Sequence, residues 1–462
     1  MYLAQDEDTI AAISTPPGEG GIGIVRISGK DALNIAQTLF VGSRRQDLRS
    51  VPGYSLHHGL LLDPDSHSVL DECLVSVMRA PHSYTREDVI EVNCHGGRLS
   101  VRHVLEAVLR CGARLATAGE FTKRAFLNGR LDLAQAESVI DIIQAKTDAG
   151  LQLAVQQLHG KLSTRVELLR QTLQQLLALV EASIDFSDED IELISHDRIS
   201  SELQSALAAI TELLAGAQEG KIVRDGLSIA IVGKPNVGKS SLLNVFLEEE
   251  RAIVTPVPGT TRDTIEDYIN LHGVPIRLID TAGIRKTDDH VERLGVERSR
   301  RLIEQADMIL CLFDTSVPWT EEDDAFLDMI RKKAKILVLN KIDLPAQVSV
   351  HDVLSHFSET VPVFQISISE QLGLDELKQE IVDEVLDMPL ESVAVTNVRH
   401  KQALTQTQKS LTHAENSTSA GMSQEFIALD LRDALQHLGE ITGETTTEDI
   451  LDRIFSTFCI GK

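Results

Sequence analysis

Residues 233–241 read GKPNVGKSS, which contains Gly233-x-x-x-x-Gly238-Lys239-Ser240. Glycines at that spacing let backbone N–H groups curl toward phosphate oxygens, and a helix N-terminus directly behind them adds partial positive charge. Lys239 has the reach for β- and γ-phosphates, and the Ser240 hydroxyl suits Mg²⁺. The surroundings agree, because Ile229-Ala230-Ile231-Val232 reads as a buried parallel strand and Leu242-Leu243-Asn244-Val245-Phe246 as the start of a helix.

Three further stretches follow in a fixed order. The first is Thr255-Pro256-Val257-Pro258-Gly259-Thr260-Thr261, in which Thr261 is the candidate to complete a Mg²⁺ shell. The second is an apolar strand running into Asp280-Thr281-Ala282-Gly283, where Asp280 would hold Mg²⁺ through water and the Gly283 N–H would sense a γ-phosphate. The third is Ile336–Leu339 running into Asn340-Lys341-Ile342-Asp343. The Asp343 carboxylate can accept from guanine N1–H and the exocyclic amine together, which adenine cannot offer, and such sites discriminate by ~10⁴ or more. Together with Asn236, Val237, Gly238, Lys239, Ser240 and Ser241, these stretches predict a GTPase site with Mg²⁺ on Ser240 and Thr261.

Two departures stand out. The fifth GTPase stretch, usually Ser-Ala-Lys, appears only as Ser367-Ile368-Ser369, so a loosely placed guanine-sensing loop is expected. Ile284 stands where many small GTPases carry a water-positioning glutamine. Arg262 and Arg285 lie nearby, yet nothing marks either as an arginine finger. Asn236 could ligate a monovalent cation, with carbonyls of Thr255, Val257 and Thr260 completing an oxygen cage suited to K⁺.

These motifs need three kinds of scaffold. Residues 1–118 read as mixed α/β, with strands at 9–13, 22–27, 56–62, 73–78 and 88–94 and amphipathic helices at 31–40 and 100–110. Gly18-x-Gly20-x-x-Gly23 matches a dinucleotide fingerprint, but it runs into alternating strand residues rather than a helix, so a tight strand-to-strand connection is predicted. Residues 119–222 turn helical. Leu151, Val155, Leu158, Leu162, Val166, Leu169, Leu173, Leu176 and Val180 form one continuous apolar stripe, Ser187–Asp190 an acidic turn, and Leu203, Leu207, Ile210 and Leu214 a second helix. Gly220–Asp225 reads as the junction into a phosphate-loop domain at 223–388. Residues 389–462 are helical again, with Ile427, Leu431, Leu435 and Leu438 on one face and Ile450, Leu451, Ile454 and Phe455 on another. Helices on both sides imply one bundle interrupted by an inserted α/β domain.

The chain has 462 residues and a net charge of −26, so several domains are expected and a nucleic-acid partner must be met at a local basic patch. Cys73, Cys94, Cys111, Cys311 and Cys459 show no CxxC spacing, and the N-terminus lacks the basic start of a signal peptide. A soluble cytoplasmic protein is expected.

The motifs, together with Thr15-Pro16-Pro17-Gly18, Gly21-Ile22-Gly23-Ile24-Val25-Arg26, Gly119-Glu120-Phe121, Arg124–Asn128, Leu131–Glu137 and the ending Phe458-Cys459-Ile460-Gly461-Lys462, resemble the MnmE (TrmE) family of tRNA-modification GTPases over essentially the whole chain. That resemblance implies an N-terminal folate-binding domain that dimerises, a discontinuous helical domain and an inserted Ras-like P-loop G domain. It implies a homodimer that works with the flavoprotein MnmG in a heterotetramer, adding aminomethyl-type groups at C5 of the wobble uridine of certain tRNAs. It further implies a tetrahydrofolate derivative (5-formyl or methylene type) held by Arg26, Glu91, Arg130 and Lys462, K⁺-promoted pairing of G domains, and Glu292 as catalytic residue beside Lys239. From the residues alone, Arg26 and Arg130 read as surface or capping arginines, Glu292 equally as a solvated helix residue, and Cys459 as either a reactive thiol or a structural one. Two other functions compete: a ribosome-assembly GTPase acting as an RNA-binding switch, although neither flank is basic, and a folate-dependent one-carbon enzyme merely regulated by GTP.

Overall fold

The structure is a computed structural model that describes residues 8–44, 46–185, 194–249, 267–279, 304, 306–321, 323–324, 327, 335–356, 361–384 and 395–462. The N-terminal unit comprises β1 (Ile10–Ile13), β2 (Gly20–Ser28), α1 (Ala32–Leu39), β3 (Phe40–Gly42), β4 (Ser55–Leu62), β5 (Val69–Met78), β6 (Val89–Gly96), α2 (Arg98–Arg110) and β7 (Arg114–Leu115). The strands form one sheet in the order β3-β4-β5-β6-β2-β1-β7. β1 and β2 pair antiparallel from Ile10↔Ser28 to Ile13↔Val25, so the glycine-rich stretch before Gly23 joins two strands, as its alternation predicts. Gly23 is needed for helix-to-sheet approach, because a Cβ there would lie 2.2 Å from Val101 Cγ2. Val25, Ile27, Val75, Val77, Ile90 and Val92 face α1 and α2 in the core, whereas Ile22, Leu56, Leu60 and Leu74 stay exposed on the opposite face.

The helical unit begins with α3 (Glu120–Leu127), α4 (Leu133–Gln144), α5 (Asp148–Leu158), α6 (Lys161–Asp185), α7 (His196–Ala215) and α8 (Ala217–Asp225). The second sheet follows, with β8 (Leu227–Gly233), α9 (Lys239–Glu249), β9 (Asp267–Leu271), β10 (Val274–Leu278), β11 (Met308–Asp314), β12 (Lys335–Asn340), α10 (Val350–Leu354), β13 (Val363–Ile366) and α11 (Leu374–Asp383). Its order is β13-β12-β11-β8-β10-β9, parallel except for the β9–β10 hairpin. The chain then returns to the bundle through α12 (Val398–Ser419), α13 (Gln424–Thr442) and α14 (Glu448–Phe455). One apolar core takes Leu162, Leu173 and Ile199 from before the second sheet and Leu404, Leu411, Leu431 and Leu438 from after it. The bundle is thus a single body interrupted by the α/β unit.

One sequence expectation needs correction. The stripe from Leu151 to Val180 is not one helix, because Gly160 at φ +84° separates α5 from α6 and Leu151 faces solvent. Residues 220–225, the junction into β8, are the helical end of α8, and the break comes at Gly226, at φ +93°. A Cβ on Gly226 would approach Pro275 O to 3.0 Å, so the tight turn requires glycine. The acidic turn at Ser187–Asp190 lies outside the described residues.

Candidate functional site

The phosphate-binding loop springs from the C-terminal end of β8, between β10 and β11, and feeds α9. Ligands of open α/β sheets bind at this end of the strands. Asn236 adopts φ +64° and Gly238 φ +107°, which curls the loop. Lys239 Nζ donates to Gly233 O at 2.8 Å and Lys234 O at 2.5 Å, folding back over its own loop. Burial lowers the pKa of that ammonium, so a phosphate would be a better partner than two carbonyls. Asn236, Ser240 and Ser241 are exposed at the mouth, while Val237 is buried beneath. Lys234, inside the loop, pairs with Asp323 at 2.6 Å and ties the loop to the segment after β11.

Asn340 locks this loop to the base-reading loop. Its Nδ2 donates to Val237 O at 2.8 Å, and a Cβ on Gly238 would sit 2.4 Å from that nitrogen. Lys341, at φ +67°, bonds Asp314 Oδ2 at 2.6 Å. Here the expectation of a loose fifth stretch is overturned. The fully buried Ser367 donates to Asp343 Oδ1 at 2.6 Å, Ser369 lies 3.0 Å from Ser367, and Ile368 N–H donates to Asn340 Oδ1 at 3.3 Å. The Ser367 hydroxyl holds the Asp343 carboxyl below the usual carboxylate range, so the acceptor stays ionised and aimed. Sequence reading missed this bond because the two residues lie in different motifs 24 positions apart. Thr255, Pro256, Val257, Pro258, Gly259, Thr260, Thr261, Arg262, Asp280, Thr281, Ala282, Gly283, Ile284, Arg285 and Glu292 lie outside the described residues.

A second cluster forms where the C-terminal tail meets the N-terminal sheet. Arg26 on β2 and Glu91 on β6 are register partners and form an ion pair at 2.8 Å. Arg26 also donates to Gly461 O at 3.3 Å, and Ser14 Oγ donates to the same carbonyl at 3.1 Å. Phe121 N–H donates to Lys462 O at 3.2 Å, so the last residue is anchored through its backbone. A Cβ on Gly461 would lie 2.2 Å from Ile13 O, which explains why only glycine fits next to the end. Tyr84 and Phe121 supply ring faces: the Arg26 guanidinium sits 5.5 and 5.6 Å from them, and that of Arg130 sits 4.8 Å from Tyr84. Burial and the neighbouring Arg26 both lower the Lys462 pKa. The structure thus brings Arg26, Glu91, Arg130 and Lys462 together, and adds Tyr84 and Phe121, for which no spacing in the sequence gives a signal. Cys459 is exposed, which removes the buried structural alternative, while Cys73, Cys94 and Cys311 are buried.

Among the described residues, no cluster of three or more His, Cys, Asp or Glu could hold a metal ion, and no helix is long and apolar enough to cross a membrane. Ser240, the sequence candidate for Mg²⁺, lies in the first turn of α9, and the other candidate, Thr261, is outside the described residues.

Known proteins resemble this chain at several levels. The family model of the MnmE helical domain matches residues 133–459, and that of the GTP-binding protein TrmE N-terminus matches residues 9–130. The tRNA modification GTPase MnmE of Alkaliphilus metalliredigens is 48% identical over 465 residues, covering 100% of both chains. The protein of the same name from Geobacillus thermodenitrificans is 48% identical over 459 residues, covering 98% of this chain and 99% of its own. A crystal structure of an Aquifex aeolicus Era variant bound to GDP and aluminium fluoride is 29% identical, covering 40% of this chain and 66% of its own, with a TM-score of 0.28. With family models matching on both sides of the inserted α/β unit and end-to-end relatives at nearly half identity, the chain belongs to the MnmE family of tRNA modification GTPases.

Proposed function

We propose that this GTPase is a K⁺-activated conformational switch which, as a homodimer and with a flavin-dependent partner of the MnmG type, adds an aminomethyl-type group at C5 of the wobble uridine of tRNA from a folate one-carbon unit. The observation that carries this reading is the coexistence in one chain of a guanine-reading loop aimed by Ser367 and a cationic, aromatic cluster at the C-terminal tail.

At the first site, Lys239 exchanges its two loop carbonyls for β- and γ-phosphate oxygens, and the N-terminus of α9 supports their charge. Ser240 and Thr261 would hold Mg²⁺, with Asp280 acting through water; when bound, the ion would supply positive charge beside the phosphates. Asp343 reads the guanine edge. Asn236, with Thr255, Val257 and Thr260, would hold K⁺, which would supply the positive charge that an arginine finger gives elsewhere, and Glu292 is the residue read as orienting the attacking water. Residues 255–261 and 280–283 respond to the γ-phosphate and thereby set the state of the switch.

At the second site, the chemistry present fits a reduced folate. Tyr84, half-buried, offers a face for a flat ring, while Phe121, fully buried, backs the Arg26 guanidinium from below; Glu91 accepts from ring N–H groups, and Arg26, Arg130 and Lys462 suit the carboxylates of a glutamate tail. An anion there relieves the repulsion that Arg26 exerts on Lys462. When bound, the folate supplies the one-carbon unit. The exposed apolar face of the N-terminal sheet, with Ile22, Leu56, Leu60 and Leu74 beside Arg26 and Glu91, supports homodimerisation through that face.

Mass spectrometry of tRNA nucleosides from cells deleted for this chain tests the whole reading. The C5 aminomethyl-type modification of the wobble uridine is expected to disappear and to return when the chain is supplied. Its persistence in the deleted cells would overturn the reading.

A further inference from the structure

The β9–β10 hairpin occupies a particular place in the sequence. β9 begins six residues after Thr261, and β10 ends two residues before Asp280, so both segments read above as γ-phosphate sensors join the same hairpin. Its outer side rests on the helical unit. Lys146, in the turn between α4 and α5, holds its ammonium 3.5 Å from the centroid of the Tyr268 ring on β9. Lys146 Nζ also donates to Asp225 O at 3.5 Å, at the end of α8. A Cβ on Gly273, at the hairpin tip, would lie 3.3 Å from Ala149 Cβ on α5.

The helix leading into Lys146 also holds both chain crossings of the inserted unit. Asp141 on α4 accepts from Arg224 at 2.8 Å, one turn before the chain enters β8. Glu137, one turn earlier on α4, accepts from Arg399 at 2.9 and 2.8 Å and lies 2.7 Å from His400 Nε2, where the chain has just returned into α12. These clamps border a cavity of about 720 Å³ that also receives His437, Arg453 and Phe458, so the side chains have room to rearrange. The apolar side of α4 begins at the rim of the same cavity, where Ile140 and Phe458 line it beside Glu137. Leu133, Ala136 and Ile140 pack against Leu451, Phe455 and Phe458, immediately before Cys459–Lys462.

We propose that α4, with Lys146, is the element on which the nucleotide state of the inserted domain and the position of the C-terminal tail are coupled. Displacement of the hairpin acts on α4 through the Lys146–Tyr268 contact and the two arginine clamps. α4 passes the displacement to the tail through Leu133, Ala136 and Ile140. Exchangeable polar contacts beside a cavity can take two arrangements, whereas the close-packed apolar side transmits the shift as a rigid body. By linkage, whatever occupies the tail site must alter nucleotide affinity by the same factor by which nucleotide alters affinity at the tail. The inference rests on the assignment of residues 255–261 and 280–283 as γ-phosphate sensors.

The exposed Cys459 thiol serves as the reporter. The full-length protein is treated with N-ethylmaleimide without nucleotide, with GDP, or with a non-hydrolysable GTP analogue, and labelling at Cys459 is read by peptide mass spectrometry. In the native chain the analogue is expected to change the Cys459 rate about fivefold, the low end of typical coupling. Lys146→Ala and Tyr268→Leu should bind the analogue as the native chain does, in a fluorescent-nucleotide titration, and yet show no analogue-dependent change. Lys146→Arg, which keeps a cation over the ring, should retain it. A response that survives in both Lys146→Ala and Tyr268→Leu, or no response in the native chain, would overturn the coupling. A native response that is equal for GDP and the analogue, and lost in the two variants, upholds the coupling and overturns the γ-phosphate assignment instead.

Discussion

The Asp343 carboxylate has one oxygen occupied by the Ser367 hydroxyl, which leaves the other lone pairs to face a base. In the proposed reading, recognition rests on one aimed acceptor, and a change of one atom in the base would decide the outcome. Arg26 is similarly constrained, since Glu91, the Gly461 carbonyl and two ring faces fix its guanidinium. Replacing it removes both a cation and the tie to the tail. Arg26→Ala is expected to weaken binding of 5-formyltetrahydrofolate at least tenfold, about the loss of one charge-assisted hydrogen bond, as measured by calorimetry. Unchanged affinity would remove the folate assignment. The strand, loop and helix around Gly233–Ser240 were readable from spacing because a phosphate loop has a fixed local pattern. Tyr84 and the bond from Ser367 to Asp343 were not, because each acts across a fold-level contact with no local period.

At the scale of an element, α4 joins a capped start to buried charge. It opens with a capping box between Asp132 and Gln135 and buries Glu137 against Arg399 and His400. Burial alone would raise the Glu137 pKa, but His400 and Arg399 outweigh it and bring it to about 2 from its ordinary 4.5. Because the folded value is the lower one, the stabilisation is complete above pH 4.5 and drains away as pH falls toward 2. The shift corresponds to about 3 kcal/mol. In an acid titration followed by the helical circular dichroism signal, Glu137→Gln should therefore be less stable than the native chain at pH 7 and lose less of its remaining stability between pH 4.5 and 2. Parallel curves for the two proteins would contradict that role. Periodicity found α6, α7, α13 and α14, yet it missed α12 and could not see the break at Gly160. The apolar stripe runs on through a residue whose positive φ, and not its hydrophobicity, ends the helix.

At the scale of the molecule, the inserted α/β unit and the tail cluster are joined by a bundle built from both flanks. That arrangement was legible because helical periodicity resumes after the α/β motifs. The contacts that place the inserted unit on the bundle, such as Lys146 on Tyr268, have no counterpart in any sequence pattern. With Ile284 in place of a glutamine, hydrolysis is expected to be fast in K⁺, slow in Na⁺ at equal ionic strength, and faster at higher protein concentration. Steady-state phosphate release checks this, and equal turnover in the two salts would overturn the K⁺ assignment and favour Arg262 or Arg285 as the source of positive charge.

In the proposed function, a guanine nucleotide read at Asp343 drives tRNA modification. Asp343→Asn should prefer xanthosine triphosphate, whose ring presents a carbonyl where guanine has its amine. The most direct test is a reconstituted modification reaction with this variant, the flavin-dependent partner, folate and unmodified tRNA, read by nucleoside mass spectrometry. Xanthosine triphosphate is predicted to restore wobble-uridine modification where GTP does not. Full modification by the variant with GTP, or with no nucleotide at all, would contradict the account.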